Sequence, residues 1–218
     1  MRRENGMAHI PDGVLSVPVL VGGGVVTAAA LAYALKKLDE DRLPRVAVLA
    51  ALFFVASLIS VAVGPTSVHL LLSGLMGLII GWAAVPAVFV GLVLQAVFFG
   101  FGGVTTLGVN TMNIALPGVL WAMLFAPLLV NAKPRRAAMV GATVAALSVA
   151  STAVMVALSL TLSDASYTLS ARIVLLSYGP LLVGEAILTG FACAFLARVS
   201  PDIFLAPAVR RGGKLAAS

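Results

Sequence analysis

The sequence predicts an all-α, polytopic membrane protein of about seven transmembrane helices in one domain, residues 1–218. Three observations lead there. Hydrophobic residues make up 61% of the chain and charged residues 10%, against about 25% charged in soluble domains, and the mean hydropathy is +1.11. Apolar runs of near-span length follow one another, cut by charges and turn residues. Lys and Arg gather in alternate connections. At roughly 20 residues per crossing, about six to eight spans fit, with no room for a separate soluble domain.

The elements follow in order. Residues 1–13 precede the first apolar run and end in "MAHIPDG", whose Pro, Asp and Gly cannot continue a helix. Asp12 there is expected to close a turn through its own backbone. Apolar runs then cover 14–35, 45–63, 69–82, 84–99, 117–130, 137–162 and 173–197. The third and fifth are short for a full crossing, so they tilt or join the Gly-rich stretch "GFGGVTTLGVNTMNI" at 100–114. Small residues let helices approach closely. Gly77 and Gly81 lie four apart in "GLMGLIIG", and Ala28 and Ala32 form a similar face on the first run, for internal packing or for docking another membrane subunit. Cys193, the single cysteine, excludes an internal disulfide and reads as a packing residue.

Orientation comes from basic residues in short loops. "KKLDEDRLPR" carries Lys36, Lys37, Arg42 and Arg45; "NAKPRR" carries Lys133, Arg135 and Arg136; the tail carries Arg198, Arg210, Arg211 and Lys214. With seven spans these three segments share one face, which is then cytoplasmic. The N-terminus, "GPTSVH", the Gly-rich stretch and "SDASYTLSAR" take the other. The expectation is N-terminus outside and C-terminus inside: a segment 1–13, a helical bundle 14–198 and a cytoplasmic tail 199–218. The protein is expected in the cell's inner (plasma) membrane. Arg2 and Arg3 run against that rule, and a translational start at Met7 or a short outward tail is preferred over a cleaved signal peptide.

Several function classes are excluded. The formal charge of +6 belongs to the loops and is no nucleic-acid footprint. No GxxxxGK[ST] motif is present; "RRGGKLAAS" lacks the spacing and a preceding strand. Active transport therefore needs an ATPase on another chain or an ion gradient. An intramembrane enzyme is disfavoured, because the chain has no HExxH, no paired Asp and no Ser–His pairing on facing spans.

The chain has only two histidines, His9 and His69, each at a loop-to-run boundary beside Pro or Gly and both on the expected outer face. If Met7 is trimmed, the free amine of Ala8, the backbone nitrogen of His9 and its imidazole can close two fused chelate rings around one metal ion. His69 would supply a fourth nitrogen; if Met7 is kept, its amine, two amides and the imidazole can fill the plane alone, with His69 axial or idle. Tetragonal nitrogen coordination suits Ni(II) or Cu(II), and imidazole also suits cobalt and zinc. The plainer role, a histidine bonded to a carbonyl at a helix entrance, stays open for each. Gln95, Asn110 and Asn113 lie near the same face, the two asparagines in the Gly-rich loop. Their amides either orient a ligating histidine and pin the N-terminal segment or bond between helices. Glu185, in "GEAILTG", is the only acidic residue deep in a span and a functional candidate on that ground. An alternative function, a proton-coupled secondary transporter for a metal ion or small solute, would use it as the relay.

Four stretches in order from His9 to Phe204 resemble a known family: "HIPDGVLS", "GPTSVHLLLSGLMGLIIGWAA", "LQAVFFGFGGVTTLGVNTMNIALPG" and "GEAILTGFACAFLARVSPDIF". They resemble the CbiM/NikM family, the metal-specificity (substrate-binding) subunits of energy-coupling factor (ECF) nickel/cobalt transporters. The resemblance implies a seven-helix membrane subunit whose N-terminal loop folds into the outer face. Ni(II) or Co(II), as transported substrate, would be bound by the terminal amine, the first histidine and a second histidine; at matching positions these are Ala8, His9 and His69. The family commonly has Met directly before His; here Ala8 intervenes, and a start at Met7 with trimming restores the amine. The implied partners are a transmembrane coupling subunit, two cytoplasmic ATPase subunits and a small accessory membrane subunit on a separate chain. No permanent cofactor is implied.

Overall fold

The computed structural model describes residues 9–63 and 66–204. Among these described residues, seven α-helices run in chain order: α1 (Val17–Lys36), α2 (Leu43–Ser57), α3 (Ser73–Ile80), α4 (Ala84–Phe99), α5 (Leu107–Phe125), α6 (Pro134–Ser163) and α7 (Thr168–Val199). Prolines stand at the first or second position of three of them, α1, α2 and α6, where a missing N–H costs nothing. Two more, Pro117 in α5 and Pro180 in α7, lie inside helices.

Five stretches are long and apolar enough to cross a membrane: Val17–Lys36, Ser73–Phe99, Leu107–Leu129, Pro134–Ser163 and Ala165–Val199. With 15 residues in α2 and 8 in α3, neither helix alone matches the roughly 20 that a crossing needs. The seven apolar runs thus correspond to seven helices but not to seven full-length spans. Gly81 makes the difference between α3 and α4. Its φ of +57° is a conformation open to glycine, and it breaks the 73–99 stretch into two pieces. The expected close-packing pair Gly77 and Gly81 is corrected accordingly: Gly77 packs, Gly81 turns.

The all-α expectation also needs correction. A short antiparallel hairpin, β1 (Ser60–Val63) with β2 (Thr66–His69), stands between α2 and α3, in register Ser60↔His69 to Val63↔Thr66. The run read as 45–63 is therefore helix only to Ser57. Valine and threonine favour extended chain, and the Gly64-Pro65 pair in the sequence stops a helix from running through.

Helix α3 lies at the centre. Seven of its eight residues are buried, because two glycines bring it against neighbouring backbones. A Cβ on Gly74 would stand 2.9 Å from Ala145 Cα of α6, and one on Gly77 would stand 2.8 Å from the Gly118 carbonyl carbon of α5. Helices α6 and α7 form a long antiparallel pair in which Gly141 meets Cys193. Cys193 is fully buried there, as a packing residue. The inner face of α1 carries Gly23, Thr27, Ala30 and Ala34, with the Thr27 hydroxyl donating to Gly108 O at 2.6 Å. Ala28 and Ala32 point outward. Exposed Val21, Val25, Leu176, Phe191 and Phe195 cover the outside of α1 and α7, a surface suited to lipid rather than water.

The two ends of the bundle differ. One buries Leu129, Ala137, Cys193 and Phe204 together, next to the basic loop 131–136 and Arg198. The opposite end buries Ile10 and Leu15 against Val109, Val156, Leu160 and Ala171. That second end holds the N-terminal segment.

Candidate metal site

The segment 9–13 has no regular secondary structure among its residues, so side chains must satisfy its backbone. Asn110 does most of this. Its Oδ1 accepts from Ile10 N–H at 3.2 Å, and its Nδ2 donates to Ile10 O at 3.1 Å. The Thr106 hydroxyl donates to the same carbonyl at 2.7 Å. Asn110 thus imitates the edge of a β-strand for one residue.

Two residues beyond Ile10, the Asp12 carboxylate accepts from Val104 N–H at 3.1 Å, from Thr105 N–H at 2.9 Å and from the Thr105 hydroxyl. These bonds hold its carboxyl below the usual carboxylate range, the Thr105 side chain foremost. The expected self-closing turn is corrected: Asp12 ties two distant loops. Gly102 and Gly103 make the tie possible. A Cβ on Gly102 would meet His9 Cβ at 3.2 Å, and one on Gly103 would lie 2.7 Å from Asp12 N.

Docked in this way, His9 lies beside His69. Their Nε2 atoms are 2.9 Å apart, their ring centroids 4.7 Å apart and their planes inclined at 53°. Both are nearly inaccessible, at 4% and 5% exposure. His9 Nε2 also lies 2.8 Å from Gln95 Oε1 on α4. His69 Nδ1 lies 2.8 Å from Leu70 O.

The partners assign the tautomers, since a carbonyl oxygen only accepts. His69 carries its proton on Nδ1, donating to Leu70 O, and presents a lone pair at Nε2. His9 carries its proton on Nε2, between Gln95 Oε1 and His69 Nε2, and presents a lone pair at Nδ1. That Nδ1 is buried without a partner among the described residues, as is Gln95 Nε2. Burial, then the adjacent His69 ring, pulls His9 down to about 3 against the weaker opposing pull of Gln95. Burial likewise lowers His69, opposed by the Leu70 carbonyl. Both rings are neutral at pH 7, the form that ligates metals.

The donor chemistry fits a borderline transition-metal ion. Two neutral imidazoles converge, and no group of three or more His, Cys, Asp or Glu residues stands together among the described residues. Ala8 and Met7, the expected source of a free amine, lie outside the described residues.

The remaining sequence-predicted residues divide. Gln95 and Asn110 are at the site. Asn110 belongs to the first turns of α5, not to a loop; the stretch read as loop to Ile114 becomes helix at Leu107. Asn113, also in α5, is turned to α6, where its Nδ2 donates to Ser159 Oγ at 3.3 Å. Glu185 touches neither ring. Its Oε1 accepts the backbone N–H groups of Leu71 and Leu72, the latter at 2.8 Å. Sequence reasoning missed Thr106 and the partners of Asp12; neighbouring threonines in a glycine-rich stretch carry no periodic signal, and backbone N–H groups carry no residue identity.

Comparison with known proteins agrees with this architecture. The CbiM family, described as the cobalt uptake substrate-specific transmembrane region, matches residues 9–203. A protein of Haemophilus influenzae, named provisionally as a metal transport protein, is 36% identical over 200 residues, covering 89% of this chain and 96% of its own. The fused nickel transport protein NikMN of Rhodobacter capsulatus is 39% identical over 120 residues, or 52% of this chain; the match spans only 35% of that longer protein. Among solved structures, a truncated transition metal transporter superposes with a TM-score of 0.69 at 25% identity, over 87% of this chain and 98% of that one. The chain belongs to the CbiM family and is a multi-pass membrane protein of the nickel/cobalt transport class.

Proposed function

We propose that this chain is the substrate-binding membrane subunit of an ATP-driven importer of the energy-coupling factor type, and that it captures Ni(II) or Co(II) between His9 and His69. One observation carries the reading: two buried, neutral imidazoles from residues 60 positions apart are in contact, Nε2 to Nε2 at 2.9 Å, while the other nitrogen of His9, Nδ1, has no partner among the described residues. His9 Nδ1 and His69 Nε2 supply two of the ligands. The terminal amine of Ala8, freed by removal of Met7, and the His9 backbone nitrogen supply the others, closing five- and six-membered chelate rings on one ion. Gln95 keeps the His9 proton on Nε2. Asn110, Thr106 and Asp12 hold the segment in place. Asn113 braces α5 against α6 beneath them.

The histidine end of the bundle faces outward and the basic end faces the cytoplasm, in line with the distribution of Lys and Arg. There the chain meets a transmembrane coupling subunit and two ATPases, with a small accessory membrane subunit alongside. It hydrolyses no ATP itself. The plasma membrane is the site of action.

The test is direct. The purified protein is expected to bind one Ni(II) or Co(II) by calorimetry, and N-terminal sequencing is expected to begin at Ala8. An N-terminal extension that resists trimming weakens binding. Cells lacking the ATPase subunits lose metal accumulation. Full affinity in the His9→Ala, His69→Ala double variant overturns the reading.

A further inference from the structure

Glu185 stands outside the ion's immediate surroundings, yet the chain from it to His69 is short and continuous. Its side chain, on α7, is fully buried. One carboxylate oxygen takes the N–H groups of both Leu71 and Leu72. These residues link β2 to α3, and Leu72 has φ +51°, a left-handed conformation that a leucine rarely adopts. Such a strained turn persists only where its surroundings determine it, and here two hydrogen bonds donated to a single oxygen do so. The preceding residue, Leu70, supplies the carbonyl that receives His69 Nδ1–H at 2.8 Å.

We infer that Glu185 is a positioning residue for metal capture: by clamping the 71–72 turn from α7, it aims the Leu70 carbonyl, and that carbonyl holds His69 with its Nε2 lone pair toward His9. This rests on the reading of His9 and His69 as ligands. What the role requires is an acceptor oxygen at the end of a three-carbon reach, not a charge. Glutamine meets that requirement. Aspartate keeps the charge but falls one methylene short. A proton relay requires the opposite, a titratable carboxyl in which Asp can serve and Gln cannot.

The experiment compares Glu185→Gln and Glu185→Asp with the wild type and with His69→Ala, in detergent, without a histidine tag. Nickel affinity is read by calorimetry. Because the chain has only two histidines, selective histidine ¹⁵N labelling reports both tautomers directly in the metal-free protein. The expected result is rescue by E185Q, with affinity within about threefold of wild type and His69 still protonated on Nδ1. E185D is expected to lose about tenfold or more, the usual cost of releasing a group that orients a metal ligand, with His69 shifting to mixed tautomers. The reverse order, or E185D indistinguishable from wild type in affinity and tautomer, overturns the positioning role. Wild-type affinity in H69A is a different failure: it removes the ligand reading itself, whereas loss in H69A with an unchanged E185D sinks only the inference about Glu185.

Discussion

The two histidines reach the same point by different means. His9 rides on a segment with no ladder of its own, held through side chains: Gln95 on its ring, Asn110 and Thr106 on Ile10, and the segment's own Asp12 on Val104 and Thr105. His69 ends a β-strand, paired with Ser60, and its ring is held by the main-chain carbonyl of Leu70, immediately ahead of the Glu185 clamp. One arm is docked and the other is built in. A docked arm can be released by single side-chain changes that leave the fold intact, while the built-in arm yields only where the turn behind it is disturbed.

Removing either ring gives the largest effect and tests whether both arms serve one ion. His9→Ala and His69→Ala are each expected to abolish tight nickel or cobalt binding in calorimetry, with the protein still recovered from membranes as a folded monodisperse species. The next step separates the arms. Gln95→Leu and Asn110→Leu are expected to weaken binding by about tenfold to a hundredfold, the range for groups that orient a ligand. They should also expose the N-terminal segment to limited proteolysis, which the Glu185 variants should not do. Gly102→Ala probes the seat itself. With φ at +72° and His9 Cβ 3.2 Å from the added methyl, a loss of about tenfold in affinity is expected, without change in the helix content seen by circular dichroism.

Asp12 gives the smallest effect. Asp12→Asn keeps an acceptor for Val104 and Thr105 and should cost no more than about threefold. Its pH signature is sharper. The carboxyl is held below its unfolded value, so its hold on the 104–105 loop is complete above the ordinary Asp range near about 4 and is lost as pH falls through the lower, folded value. Amide exchange at Val104 and Thr105, corrected for intrinsic rates, should show a step there in wild type and none in D12N.

The site was legible in the sequence to the extent that polarity is rare in an apolar chain. Two histidines, one glutamine and two asparagines stand out against long apolar runs, and four of those five proved to be neighbours in space or at one remove. Asn113 shows the limit: its type and position match those of Asn110, but three residues on along α5 it faces α6. The hairpin was hidden because its valines read equally well as the end of one apolar run and the start of another. The helical start at Leu107 was hidden by Gly108, whose place in a helix follows from the close approach of Gly24 on α1, a tertiary contact. Glu185 could be recognised as costly but not assigned, since its partners are backbone amides and carry no residue identity.

The near-complete enclosure of the paired rings has a kinetic corollary. Among the described residues the two rings are only 4% and 5% exposed, so capture of a cation by them is expected to wait for residues 9–12 to unseat. Association should then level off as metal concentration rises, at a ceiling set by the opening rate rather than by diffusion. Release toward either side of the membrane would inherit the same slow clock, and a lost ion would be rare on the timescale of one turnover.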